Sequence, residues 1–198
     1  MSDIVCVTAR DLCSGDFLSQ LDMIAAASPE FIILREKDLS EDEYRQLAVS
    51  AIEICRKHNI KLMLHYFWRT AIEIGHKNIH LPLSVLGELS DVDRSCFEYI
   101  GASCHSVDDA LLAQKLGADY ITAGHVFATD CKKGLQPRGL GFLKDVCESV
   151  SIPVYAIGGI SPENIDMVRK CGAGGACVMS GFMECADPLE FIRKFEKK

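Results

Sequence analysis

Three of the six histidines, His65, His105 and His125, stand at or just past the ends of short apolar runs. An unperturbed imidazole titrates near about 6.5, so a histidine placed there can accept and return protons around neutrality. The sharpest case is GADYITAGHVFATDCKKGLQPRG, Gly117 to Gly139. Its apolar run Tyr120–Gly124 finishes on His125, and a glycine-flanked segment with Lys132, Lys133 and Arg138 follows. On residue type alone His125 is either a core histidine with a backbone partner or a group facing a ligand. The segment after it is either a solvated loop or a cationic lid hinged at Gly134.

A second set of residues suits anions. AIGGI (Ala156–Ile160) runs into Ser161-Pro162, which reads as a helix start, and VMSG (Val178–Gly181) closes a later apolar run. Glycines let backbone approach an anion, and N–H groups near a helix start can hold a phosphate. Gly158, Gly159, Met179, Ser180 and Gly181 are therefore candidate phosphate ligands, although glycines there also serve plain tight turns. Arg35 and Lys37 offer a further cationic group, in an Arg-Glu-Lys-Asp run that can also pair internally. Together the cations suggest a ligand with two anionic ends.

Positioning these residues requires a regular frame. Eight short apolar runs are read as strands: Ile4–Thr8, Phe31–Arg35, Leu62–His65, Asn78–Leu81, Tyr99–Cys104, Tyr120–His125, Val154–Gly158 and Ala176–Ser180. They lack strict alternation, as strands buried on both faces do. Between them lie amphipathic helical patterns. Glu41–His58 is the clearest, and Val107–Leu116 follows the N-cap residue Ser106. Ser161-Pro162 and Asp187-Pro188 carry the cap-then-proline signature, and Gly172 is a stop. Strand–helix alternation repeated eight times in 198 residues predicts a single-domain α/β fold, a (β/α)₈ TIM barrel over residues 1–198. Reactive groups in that fold sit at the C-terminal strand ends, where Ser103 joins the histidines as a candidate.

Composition limits the function classes. Hydrophobic residues make up 48% and charged residues 25%, with net charge −7. That is a globular acidic chain with no broad basic face for nucleic acid. Ten cysteines occur without a CxxC pair, and most lie inside apolar patterns where they act as small hydrophobes. With no signal peptide and no long apolar span, a reduced cytoplasmic protein that binds no membrane is expected.

LREKDLS (Leu34–Ser40), HVFATDCKKG (His125–Gly134), IPVYAIGGISPENI (Ile152–Ile165) and VMSG resemble the thiamin phosphate synthase superfamily over nearly the whole chain. Its members are single-domain barrels, and two branches matter: the synthase and the thiazole tautomerase, TenI. The synthase pattern has a glutamine where this chain has Ile33. It has Asn-Asp at the position of His65-Tyr66, and Gly-Gln-Glu-Asp at Pro82-Leu83-Ser84-Val85. Two magnesium-binding carboxylates of the synthase pattern are thus absent, and ionising a pyrophosphate needs a clamped hard cation. The synthase's Gly-Pro-Val-Phe is here Gly124-His125-Val126-Phe127. That His-Val-Phe, with Thr129, Asp130, Cys131 and two lysines after it, is similar to the tautomerase.

The resemblance implies a cofactor-independent isomerase of thiamine biosynthesis, with no metal. A carboxylated dihydrothiazole ethyl phosphate would lose a proton at ring C2 and gain one at its exocyclic carbon, giving the aromatic thiazole. His125 takes the catalytic role, with His65 or His105 as a candidate second acid. The phosphate would anchor at Gly158-Gly159 and Ser180-Gly181, and Arg35, Lys37 or Lys132 would hold the carboxylate. The expected partner is the small phosphorylated thiazole alone, in a homodimer or higher homo-oligomer. Residual synthase activity, or a non-catalytic regulator that binds thiazole or thiamin phosphate, are the alternatives.

Overall fold

The computed structural model describes residues 2–129 and 134–196. Asp130, Cys131, Lys132 and Lys133, and with them the proposed role of Lys132, lie outside the described residues. Eight strands, β1 (Ile4–Val7), β2 (Ile32–Leu34), β3 (Leu62–His65), β4 (Asn78–Pro82), β5 (Tyr99–Cys104), β6 (Tyr120–Gly124), β7 (Val154–Ile157) and β8 (Gly175–Val178), form a closed barrel in chain order. The pairings are parallel, as in Ile33 with Met63 and Thr122 with Tyr155. This is the expected (β/α)₈ architecture. Five of the strands, β1, β2, β3, β6 and β8, are buried at every residue, which explains why their sequences are apolar without alternation.

The chain sorts into two compact units. The first holds Met1–His80, Cys96–Glu98 and Met179–Lys198. Its helices are α1 (Phe17–Ala26), α2 (Glu41–Lys57), α3 (Trp68–Glu73) and, after the other unit, the last two of the chain. Helix α2 begins where Ser40 and Glu43 cap one another reciprocally, so the sequence pattern and the local chemistry agree. Tyr44 then fixes α2 to the sheet. Its buried hydroxyl donates to the Leu34 carbonyl at 2.8 Å and accepts the His65 N–H at 2.8 Å.

The second unit holds Leu81–Ser95 and Tyr99–Val178, with helices α4 (Leu83–Glu88), α5 (Asp91–Ser95), α6 (Val107–Lys115), α7 (Gly139–Ser149) and α8 (Ile165–Lys170). Ser106 caps α6 by accepting the Asp109 N–H at 3.0 Å. Gly172 follows the end of α8 at φ +89°, the left-handed conformation that stops a helix without a Cβ penalty.

Some boundaries differ from expectation. Ser161-Pro162 opens a turn and not a helix, because Asn164 folds back: its Oδ1 accepts the Ser161 N–H at 2.9 Å, and α8 starts at Ile165. Strand β8 stops at Val178, so Ser180 belongs to the next helix, α9 (Ser180–Glu184), and not to a strand. The final helix, α10 (Pro188–Arg193), starts as read, with Asp187 capping and Pro188 in its first turn. The nine described cysteines are free, and Cys6, Cys55, Cys104 and Cys177 are buried. Among the described residues no helix is long and apolar enough to cross a membrane.

Candidate functional site

In the second unit, β6 delivers His125 to the rim of the sheet. The residue is 6% exposed, and its ring Nε2 lies 3.4 Å from the Leu135 carbonyl, a long contact that leaves the nitrogen weakly held. Its main chain is fixed more firmly. The His125 carbonyl accepts the Arg138 N–H at 3.0 Å, and the next residue, Val126, donates to Ile157 and accepts from Gly139. The Gly124–His125 peptide is cis.

Gly158 and Gly159 follow β7 at φ +102° and +66°, values that L side chains rarely adopt. Space matters as much as φ. A Cβ on Gly158 would meet His125, at 2.8 Å from its Cα and closer still to its Cβ, and one on Gly159 would run into the Ala128 carbonyl and Phe127. Close packing against the His125–Ala128 segment therefore accounts for both glycines without any ligand. Among the described residues, no backbone carbonyl receives the N–H of either glycine. The Gly158 carbonyl accepts from Phe127, and the Gly159 carbonyl accepts from Asn164 Nδ2 at 2.8 Å. Thr129 is half-buried at the end of the same segment.

Two other predicted residues share a different place in this unit. Ser103 and His105 line a cleft of about 540 Å³ with Pro82, Leu83, Ser84, Gly87, Asp109, Leu112 and Leu116. The His105 side chain is exposed, and the residue's main-chain N–H donates to the Asp109 carboxylate at 2.7 Å. The Ser103 hydroxyl lies 3.5 Å from that of Thr122, its register partner on β6. His125 is not among the residues lining that cleft.

The first unit gathers Arg35, Lys37 and His65. The His65 imidazole is 5% exposed and stacks on His80, its register partner on β4, with ring centroids 5.8 Å apart. Burial, then His80, Lys37 and Arg35, hold its pKa well below the ordinary value. His65 is accordingly neutral near pH 7 and has no imidazolium proton to give, which counts against it as a second acid. The acids of the Arg-Glu-Lys-Asp run do pair, but not with their sequence neighbours. Glu36 and Asp38 both reach Arg10, at the end of β1, the Glu36 carboxylate lying 3.9 Å from Arg10 Nε. In the same unit, Met179 and Ser180 open α9, and a Cβ on Gly181 would collide with the Phe191 ring. Packing thus supplies a reason for that glycine too.

Reading the sequence missed Thr8, Arg10 and Glu36 as a group, since they are joined only across β1 and β2. It also passed over His80, which sits mid-strand and shows no terminal position to mark it.

Comparison with known proteins agrees with this frame. The thiamine monophosphate synthase family, TMP-TENI, matches residues 4–182. A protein of Aquifex aeolicus (strain VF5), provisionally named thiamine-phosphate synthase 2, is 36% identical over 179 residues, covering 90% of this chain and 96% of that one. The thiamine-phosphate synthase of Clostridium tetani (strain Massachusetts / E88) is 31% identical over 180 residues, covering 88% and 84%. Among solved structures, thiamine phosphate pyrophosphorylase from Pyrococcus furiosus superposes with a TM-score of 0.83 at 27% identity, over 98% of this chain and 93% of that one. With a family match across nearly all of its length and relatives above 30% identity, this chain belongs to the thiamine monophosphate synthase (TMP-TENI) family.

Proposed function

We propose that the chain is a thiazole tautomerase of thiamine biosynthesis, acting on a carboxylated dihydrothiazole ethyl phosphate. The observation that carries this reading is His125: a buried histidine directly after β6, main chain clamped, ring nitrogen only weakly engaged. Its imidazole takes the proton from ring C2, becoming imidazolium, and returns it to the exocyclic carbon. Electrons from the C2–H bond move into the ring as the exocyclic double bond accepts the proton, so nothing is oxidised or reduced. The substrate phosphate is assigned to the N–H groups of Gly158 and Gly159, and its carboxylate to Arg35 and Lys37. Incubation with the dihydrothiazole, followed by UV detection of the aromatic thiazole, tests the proposal. A purified enzyme that leaves the tautomer unconverted overturns it.

The second reading is a thiamine-phosphate synthase, and it is favoured by a specific observation: the relatives at 31–36% identity carry synthase names. Against it stand Tyr66 and Val85, where the synthase pattern has carboxylates. Magnesium-dependent coupling of a pyrimidine pyrophosphate to thiazole phosphate is the assay for it. A non-catalytic regulator that binds the same ligands predicts binding with turnover of neither kind.

A further inference from the structure

In the first unit Glu36, which plays no part in the proposed proton transfer, is a buried acid bonded to two residues. Its carboxylate is 3% exposed, and both oxygens are used. Oε1 accepts the Thr8 hydroxyl at 2.5 Å, and Oε2 accepts the Arg10 N–H at 3.0 Å. The Thr8 hydroxyl oxygen in turn accepts the Arg35 N–H at 2.9 Å. The chain of bonds runs from the backbone of Arg35 through Thr8 to Glu36 and on to Arg10. It ties the residues after β2 to those after β1, just past the last register pair, Val7 with Ile33, and the backbone bond from Thr8 N–H to the Ile33 carbonyl. Arg35 and Lys37, either side of Glu36, both act electrostatically on the buried His65 ring, while Glu36 is turned to Thr8 and Arg10. Asp38 is drawn off by Arg10 as well, and among the described residues Arg35 has no ion pair of its own.

We infer that Glu36 is a positioning residue: with Thr8 and Arg10 it locks the segment that presents Arg35 and Lys37 to an anionic group of the ligand. The carboxylate extends the tie between the two main-chain segments beyond their last backbone bond, Thr8 N–H to the Ile33 carbonyl at 3.0 Å, and a buried charge with both oxygens satisfied is held in one geometry. Removing one partner of such a network leaves the rest unsatisfied. The role rests on the assignment of a ligand carboxylate to Arg35 and Lys37, and binding, not turnover, is what tests it.

The experiment is calorimetric binding of two probes, the thiazole carboxylate phosphate and the same thiazole phosphate without its carboxylate, to wild type, Glu36→Gln, Thr8→Val and Arg35→Ala. Positioning predicts that Glu36→Gln weakens the carboxylated probe by roughly tenfold and leaves the other unchanged. Thr8→Val, which keeps the Glu36 charge, should weaken the same probe and so tests the lock if Glu36→Gln fails to fold. A pure charge effect has the opposite sign, because deleting a negative group beside two cations tightens an anion; that result overturns the inference. Arg35→Ala losing the preference for the carboxylated probe while Glu36→Gln and Thr8→Val keep it also overturns the inference, and leaves the cation assignment standing. Arg35→Ala that keeps the preference removes that assignment and the inference together.

Discussion

The two units each carry a buried histidine at a strand end, and the two are set in different surroundings. His65 in the first unit stacks on a second buried histidine and feels Arg35 and Lys37, so all of its neighbours discourage a positive charge. His125 in the second unit has a glycine behind it and a backbone carbonyl, an acceptor, 3.4 Å from its ring nitrogen. Cations and desolvation oppose protonation of His65. Residue type and strand position, which are the same for both, do not make a proton-transfer group. What differs is the company each ring keeps: a stacked histidine and two cations at His65, a glycine and main chain at His125.

That contrast is broken most directly at His125. Asparagine there keeps some hydrogen bonding and removes the titrating ring, so turnover of the dihydrothiazole should fall by about 10² to 10⁴ while affinity for the aromatic product holds. His65→Asn should spare turnover by comparison. If the two variants lose turnover equally, the contrast between the units is wrong.

Substitution behind the histidine comes next. Gly158→Ala must place a methyl against His125 at φ +102°, and Gly159→Val must push the Ala128 backbone aside. Each is expected to cost about 1 to 3 kcal/mol of stability, read as a lower urea midpoint. Gly159→Val therefore cannot separate phosphate binding from folding. Asn164→Ala is the better probe. It releases the Gly159 carbonyl and the Ser161 N–H without adding bulk, at about 1 to 2 kcal/mol, and should weaken binding of inorganic phosphate.

The strands were legible because burial on both faces leaves a plain apolar run, and their ends were right to within about two residues. Caps written in local chemistry, such as Ser106 and Asp187, were equally plain. Ser161-Pro162 misled because Asn164 competes for the Ser161 amide, and that side-chain bond is not a property of composition. Short α9 was invisible for want of a full amphipathic turn. Strand-end position marked His125, Ser103 and Arg35 as candidates. The Thr8–Glu36–Arg10 lock joins residues 26 and 28 positions apart, through contacts only the β1–β2 pairing creates.

Acid should separate the units further. Complete burial pulls the His80 pKa down to about 3, and His65 moves in the same direction. Above about 6.5, the unfolded value, both states are neutral and these groups give no slope. Below it the unfolded chain binds protons that the fold refuses, so stability falls as pH drops from about 6.5 toward 3. Glu36, whose pKa burial raises above 4.5, opposes this just above that value because there the folded state binds the extra proton. Urea midpoints from pH 7.5 to 5 should decline in wild type and decline less in His80→Gln. A flat wild-type profile would contradict the buried neutral pair.

The smallest expected effect is none at all, and it bears on the choice between the two readings of function. Exhaustive chelation should leave tautomer turnover unchanged. Proton transfer through His125 needs no Lewis acid, since the ring being aromatised takes up the electrons. The expectation rests on residue chemistry: Tyr66 and Val85 occupy the positions of the synthase's carboxylates. A magnesium ion prefers carboxylate oxygen and a substrate's phosphates. A pyrophosphate-bearing substrate could therefore still bring the ion with it, which makes the assay informative in both directions. Turnover of the dihydrothiazole after chelation, with no coupling when magnesium is restored, would leave the tautomerase. Loss of all activity on chelation, restored by magnesium together with a pyrimidine pyrophosphate, would make the chain a synthase that clamps its metal through the substrate, and would return His125 to a packing role.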